Sequence, residues 1–315
     1  MSTDKLGGAA VEHKEARAVL HDLLERTSRT FALAIPLLPD PLDRSVTVSY
    51  LLFRIADTFE DATVLWTRER RLAALADFEA LLRAPQFQRA ESLASAWIES
   101  PPTEHEGYLD LLRNTPLVVA DLARMPAKVS EAMVRHTCRT ANGMAGFVRR
   151  SADVGEIELE ALDDLKKYCY TVAGIVGELL TDLFLIELPQ LETAAPELSA
   201  RASAFGEGLQ LVNILKDSAE DRREGRVFLP KAVDREDVFE LARADLEAAV
   251  EYCLLLQRAG APRGVTAFTA SPVALARAAL DRIAERGPGA KLTRPEVFRL
   301  HARVQAALVA GRPVL

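Results

Sequence analysis

The stretch "LLFRIADTFED", residues 51–61, decides how the rest of the chain is read. It opens as an apolar run and closes on three acids, Asp57, Glu60 and Asp61. Asp57 and Asp61 are four residues apart, a spacing that puts them on one helical face, one turn apart. Like charges so placed cost roughly a few tenths of a kcal/mol, and more when half-buried. An otherwise greasy helix that keeps such a pair implies something that offsets the repulsion.

A second stretch, "LVNILKDSAEDRREGRVFLP" at residues 211–230, repeats the pattern. Asn213, Asp217 and Asp221 stand at i, i+4 and i+8, with Leu211, Val212, Ile214 and Leu215 between them. Carboxylate oxygens are hard ligands suited to Mg²⁺, an ion that keeps several waters and often shares its ligands with phosphates. Two facing aspartate stripes could hold such ions and polarise a diphosphate leaving group. The competing reading is two solvated faces whose acids pair with Lys216, Arg222 and Arg223.

The surrounding composition narrows the class. The chain has 315 residues, 49% hydrophobic and only 6% aromatic, rich in the good helix formers Ala, Leu, Glu and Arg. A net charge of −7 argues against a nucleic-acid surface. Cys138, Cys169 and Cys253 are too few and too scattered for a disulfide framework or a zinc site. Residues 1–16 carry no signal-peptide h-region, and no run of about eighteen apolar residues predicts a membrane span. A cytoplasmic protein is expected, without an anchor.

Strand and hairpin signals are scarce. Residues 42–84 and 127–188 hold no proline and suit long helices or helix pairs. Breaks fall at 36–41, 85, 101–102, 126, 189–196, 230, 262 and 287–289. The expectation is one all-α domain over residues 17–315, preceded by a loose tail over 1–16.

Basic residues accompany the acids. Ser28-Arg29-Thr30-Phe31 precedes a helical stretch, Arg54 lies three residues before Asp57, Lys216 precedes Asp217, and Arg226 follows Gly225. Guanidinium forks and ammonium groups suit phosphate oxygens, although a single surface arginine more commonly pairs with a local carboxylate. In "KKYCYTVAGIVGELLTDLF", residues 166–184, Ala173, Gly174 and Gly177 make one helix face small. Another helix, or a flat hydrocarbon chain, can approach there. Tyr168 and Tyr170 are polar handles on the same segment, either proton-steering groups or core residues with one hydrogen bond.

Five stretches in order, "TSRTFA" (27–32), "YLLFRIADTFED" (50–61), "NGMAGF" (142–147), "KYCYTVAGIVG" (167–177) and "LQLVNILKDSAEDRREGRVFLP" (209–230), resemble the squalene/phytoene synthase family. The resemblance implies the all-α isoprenoid synthase fold, long helices around a central cavity. It implies Mg²⁺-dependent, head-to-head joining of two prenyl diphosphates, farnesyl or geranylgeranyl. On that resemblance Asp57 and Asp61 form the first metal-binding pair; Asp217 and Asp221 form the second, beside Asn213 and Gln210. Ser28, Arg29, Phe31, Tyr50, Arg54, Lys216 and Arg226 become diphosphate-binding or pocket residues, and Tyr168 the catalytic tyrosine. Lys216 stands where the family usually has arginine, and Thr171 where an aromatic is common. "SRTF" and "DTFED" look closer to squalene synthases than to plant-type phytoene synthases. In "AKLTRPEV", residues 290–297, Lys291 and Arg294 are placed to meet the 2′-phosphate of NADPH, or simply form a loop before a helix. The reaction is then squalene formation from two farnesyl diphosphates. Phytoene or dehydrosqualene formation without NADPH, and a non-catalytic binding or assembly factor, are the alternatives. An oily product implies transient contact with a membrane surface.

Overall fold

A computed structural model describes the backbone of residues 3–28, 30–151, 159–223, 228–230 and 233–315, and the side chains of the same stretches apart from 3–14 and 219–223. Among the described residues there is no strand. In chain order the helices are α1 (Thr3–Thr27), the short α2 (Phe31–Ala34) with a 3₁₀ turn Ile35–Leu37, and α3 (Leu42–Glu60). Next come α4 (Arg68–Arg83), α5 (Phe87–Glu99), α6 (Glu106–Arg113), α7 (Thr115–Ala123) and α8 (Ala127–Arg150). The second half holds α9 (Leu162–Cys169), a π-turn Tyr170–Gly174, α10 (Ile175–Glu187), a 3₁₀ turn Pro189–Ala194 and α11 (Ala195–Arg223). It closes with α12 (Arg235–Arg258), α13 (Arg263–Arg286) and α14 (Arg294–Val309).

Local chemistry sets several of these ends. Thr67 caps α4 by accepting the Arg70 amide at 3.3 Å, and Asp234 caps α12 by accepting that of Glu236 at 3.0 Å. Thr293 and Glu296 form a capping box at the start of α14, the Glu296 carboxylate accepting the Thr293 amide at 2.8 Å. Pro272, not among the expected breaks, lies inside α13. The helical backbone of α1 begins at Thr3, where composition suggests a loose tail; no proline interrupts residues 3–27, so helix propensity carries through.

The core is built on α3, whose residues Leu51, Leu52, Ile55, Ala56 and Phe59 are fully buried. One connected apolar cluster runs from Leu20 to Val314. The rod α9–π–α10 packs inside against α8 and α11. Residues Leu162–Glu187 are long and apolar enough to cross a membrane, but 56% of their most apolar window is buried among the other helices.

Two glycines allow this rod to touch α11. A Cβ on Gly177 would come within 1.9 Å of the Ala202 carbonyl oxygen, and one on Gly206 within 2.0 Å of that of Ala173. Each backbone thus needs the other's glycine. The π-turn opens the helix at this crossing, and its loosened Thr171 carbonyl accepts from the Thr140 hydroxyl at 3.0 Å. Tyr170 is fixed beside it, its hydroxyl donating to Glu178 at 3.0 Å and accepting from Arg139. The small-residue face read from sequence packs against α11, and its Ala173 and Gly177 also line an apolar cavity.

Candidate active site

Helices α3 and α11 place their acids around one space. Asp57, Glu60 and Asp61 from α3 and its C-terminal cap line a cavity of 270 Å³ together with Gln210, Asn213 and Asp217 from α11. Arg54, Tyr168, Val172, Ile214 and Phe228 complete the wall. The cavity is polar and open at one end. Asp221 extends the α11 stripe by one turn in the backbone, its side chain lying outside the described residues, as do Arg29 and Arg226 entirely.

A second cavity of 280 Å³ adjoins the first. Arg54, Asp57, Val172, Gln210 and Asn213 line both. Its remaining wall is apolar: Phe31, Ile35, Val46, Phe53, Val176, Leu179, Leu180, Phe205, Leu209 and Phe268 among others, with Tyr50 at the side. Phe31 rests on Tyr50, ring centroids 5.5 Å apart. Sequence periodicity explains the division. The same helices present acids at one end of a stripe and branched or aromatic side chains along the rest.

Electrostatics distinguish the acids. Burial pushes Asp57 up to about 6; neighbouring Arg54 works against this and Asp61 adds to it. Glu60, 3% exposed, is driven well above the usual carboxylate range by burial and then by Asp61 and Asp57. Its Oε1 has no hydrogen-bond partner. Behind it Arg71, 1% exposed, donates to the Glu60 carbonyl, and burial pulls its guanidinium below the usual range. Across the cavity Tyr168 is buried, stacked on Phe228 at 5.0 Å and edge-on to Phe147 at 5.2 Å. Burial, then Glu60, Asp61 and Asp57, raise its phenol well above 10.

Cations stand among the acids. Arg54 Nη1 lies 3.4 Å from Asp57 Oδ2, and its Nε donates to the Tyr50 hydroxyl at 3.3 Å. Lys216 Nζ lies 3.1 Å from Asn213 Oδ1 and 3.2 Å from Asp217 Oδ2. Of the ion pairs expected by the competing reading, Lys216 with Asp217 forms, Asp217 lining the cavity; the side chains of Arg222 and Arg223 lie outside the described residues.

Among the described residues, no three His, Cys, Asp or Glu side chains converge tightly enough to enclose an ion by themselves. The donors are hard oxygens on two opposed helices around a space wide enough for a further ligand. That set fits Mg²⁺, which completes its shell with waters and phosphate oxygens. Burial and mutual repulsion disfavour the charged forms of Glu60 and Asp57, and a bound cation would stabilise them; among the described residues Glu60 Oε1 has no hydrogen-bond partner.

Other residues singled out from sequence sit differently. The Ser28 hydroxyl accepts the Phe31 amide at 3.0 Å and so shapes the turn into α2, outside both cavity walls. Lys291 and Arg294 are exposed and line neither cavity. Their loop is nevertheless pinned to α11, since the Gly289 amide donates to the Lys216 carbonyl at 2.8 Å. Glu60, Phe228 and Tyr108 were not singled out as site residues by sequence reasoning. Glu60 had a signal, its place inside the acidic motif; Tyr108, brought in by α6, had none.

The squalene/phytoene synthase family model matches residues 24–305. The squalene synthase of Gibberella zeae is 28% identical over 302 residues, covering 89% of this chain and 60% of the fungal protein. That of Eremothecium gossypii is 28% identical over 260 residues, 80% of this chain and 56% of its own length. The chain therefore spans about six tenths of these relatives. A solved complex of TcSQS with the ligand E5700 superposes with a TM-score of 0.74 at 25% identity, over 93% of this chain and 87% of that one. Squalene synthase HpnC from Alicyclobacillus acidocaldarius, at 17% identity and a TM-score of 0.55, shares the fold. Matched by that model over nearly its whole length, this chain is a member of the squalene/phytoene synthase family.

Proposed function

We propose that the protein is a prenyltransferase that joins two prenyl diphosphates head to head, most directly two farnesyl diphosphates to give squalene. The observation that carries this is the adjacency of the two cavities, which share five lining residues. A molecule with an anionic head and an oily tail fits an acid- and arginine-lined space set directly beside an apolar one.

The side chains divide the work. Asp57, Asp61, Asn213, Asp217 and Asp221 are the proposed holders of Mg²⁺, which when bound supplies neutralisation of the diphosphate charge as it leaves. Arg54 keeps donors free for a phosphate oxygen beyond its contacts with Asp57 and Tyr50. Gln210 and Lys216 flank the same head group. Val172, Leu180 and Phe268 keep water from the tail and from allylic positive charge. Tyr168 retains its proton, so it acts as a donor and steering group at the boundary, while its ring and that of Phe228 present π faces to a cation.

NADPH would supply the hydride that completes the squalene route, with Lys291 and Arg294 as its proposed phosphate contacts. A second reading, phytoene or dehydrosqualene formation without reductant, draws support from one observation: those two residues line neither cavity. Phe31, Leu33 and Leu37, exposed by 36%, 78% and 43%, support transient contact with a membrane surface. The test is incubation of the purified protein with Mg²⁺ and farnesyl or geranylgeranyl diphosphate, with and without NADPH. An NADPH-dependent squalene peak is expected. A C40 or dehydrogenated product indifferent to NADPH replaces the first reading with the second. No hydrocarbon and no pyrophosphate release leaves a binding or assembly role.

A further inference from the structure

The guanidinium of Arg54 is held between two aromatic faces. Its central carbon lies 5.6 Å from the Tyr50 ring centroid and 5.3 Å from that of Tyr108. Tyr50 belongs to the same helix as Arg54, one turn earlier. Tyr108 comes from α6, a separate element. A cation within about 6 Å of an aromatic face is attracted to it, more strongly as water is excluded. Burial works against the Arg54 charge, but Asp57, Tyr50 and Tyr108 outweigh it and lift Arg54 above its usual range.

The position of Tyr108 is fixed from behind. The His105 ring stacks on it with centroids 4.2 Å apart, and His105 Nδ1 accepts the Tyr108 amide at 3.3 Å as the cap of α6. The start of α6 lies directly on the end of α1: a Cβ on Gly107 would stand 2.5 Å from the Arg26 carbonyl oxygen. Arg26 also pairs with Asp110. One residue on, the Thr27 carbonyl accepts the Tyr50 hydroxyl at 2.8 Å. The end of α1 therefore sets both halves of the clamp. Arg54 contacts Asp57 through Nη1 and Tyr50 through Nε, and among the described residues Nη2 has no hydrogen-bond partner. A clamped guanidinium with a spare donor at the edge of an acid-lined cavity is poised for an anion.

We infer that Tyr108 is a positioning residue: its ring holds the Arg54 guanidinium at the cavity mouth, so that the spare donor meets a diphosphate oxygen of the substrate. This rests on the proposed function. It adds that a residue outside the acidic helices and outside both cavity walls sets how tightly the diphosphate is held.

The experiment is a double-mutant cycle read by titration calorimetry of inorganic pyrophosphate in the presence of Mg²⁺, using the full-length protein. Tyr108→Leu should weaken pyrophosphate binding about 3- to 30-fold, the range a cation–π contact spans. Tyr108→Phe, which keeps the ring, should stay within about 2-fold of wild type. In an Arg54→Leu background, Tyr108→Leu should have no further effect, because its influence passes through Arg54. Steady-state kinetics should show the loss mainly in KM for the prenyl diphosphate. Thermal melts identify any variant that fails to fold. Gly107→Ala, which displaces α6 from the Arg26 carbonyl, gives an independent route to the same weakening. Wild-type affinity in Tyr108→Leu, an equal loss in both backgrounds, or a loss in Tyr108→Phe matching that in Tyr108→Leu overturns the inference. A wild-type protein that binds no pyrophosphate overturns the diphosphate reading itself.

Discussion

Replacing Asp57 by Asn should stabilise the metal-free protein while abolishing turnover. Asp57 sits in the cavity wall with 29% of its side chain accessible, yet burial pushes its carboxyl from the usual 3.8 to about 6, net of the opposing pull of Arg54. A folded-state value above the unfolded one means that the fold penalises the charge. The penalty is absent below pH 3.8, grows between 3.8 and about 6, and is complete above 6. Its ceiling is ~3 kcal/mol at 1.36 kcal/mol per pH unit, and solvent screening reduces the expectation to ~1–2 kcal/mol. Asn carries no charge at any pH. Urea unfolding in a chelator should therefore show Asp57→Asn more stable than wild type at pH 8 by ~1–2 kcal/mol, the gap shrinking toward zero near pH 4. Added Mg²⁺ and pyrophosphate should stabilise wild type and leave the variant unmoved. A variant less stable than wild type at pH 8, or one that keeps normal turnover, would refute the reasoning.

Other perturbations test the frame. Gly206→Ala places a Cβ 2.0 Å from the Ala173 carbonyl oxygen and should cost ~3 kcal/mol or more in urea unfolding. Gly146→Ala, with nothing within 4 Å, should gain ~0.5–1 kcal/mol, and the two changes should have opposite signs. Glu207, half-buried on α11, is raised from 4.5 to about 7 by burial and then by Asp245. Stability therefore falls as pH rises from 4.5 to 7, and Glu207→Gln should recover ~1–2 kcal/mol above pH 7 after allowance for its exposure, and nothing below 4.5. A variant whose gain is independent of pH contradicts that assignment. Leu33→Ser with Leu37→Ser should weaken binding to phosphatidylcholine vesicles about 30-fold in a co-sedimentation assay, from ~1 kcal/mol of lost apolar burial per residue. Unchanged sedimentation removes the membrane-facing reading of this segment.

The fold class and the heart of the site were legible because both are written in local periodicity. The four-residue spacing of Asp57 with Asp61 and of Asn213 with Asp217 fixes which helix face carries acid, and the apolar residues between them fix which face is buried. That the two stripes face each other followed from the family resemblance, not from spacing. Tyr108 was illegible because nothing in the sequence around α6 states where that helix docks; Gly107 against the Arg26 carbonyl decides it. The π-turn at Tyr170–Gly174 was illegible for a related reason. Its sequence reads as an ordinary small-faced helix, and the Thr140 hydroxyl that satisfies its carbonyl lies on α8. Ser28 and the pair Lys291 and Arg294 were read by analogy of position; the Ser28 hydroxyl accepts an amide in the turn into α2, Lys291 is exposed in a loop, and Arg294 is exposed at the start of α14.

The five residues shared by the two cavities have a consequence for the order of events. Those residues stand where the two spaces adjoin, so a head group held among the acids would sit at the neck of the apolar one. On the proposed function, the bound anion would keep solvent from the oily end for as long as it stays, and slow pyrophosphate release would safeguard the product rather than mark a defect in speed.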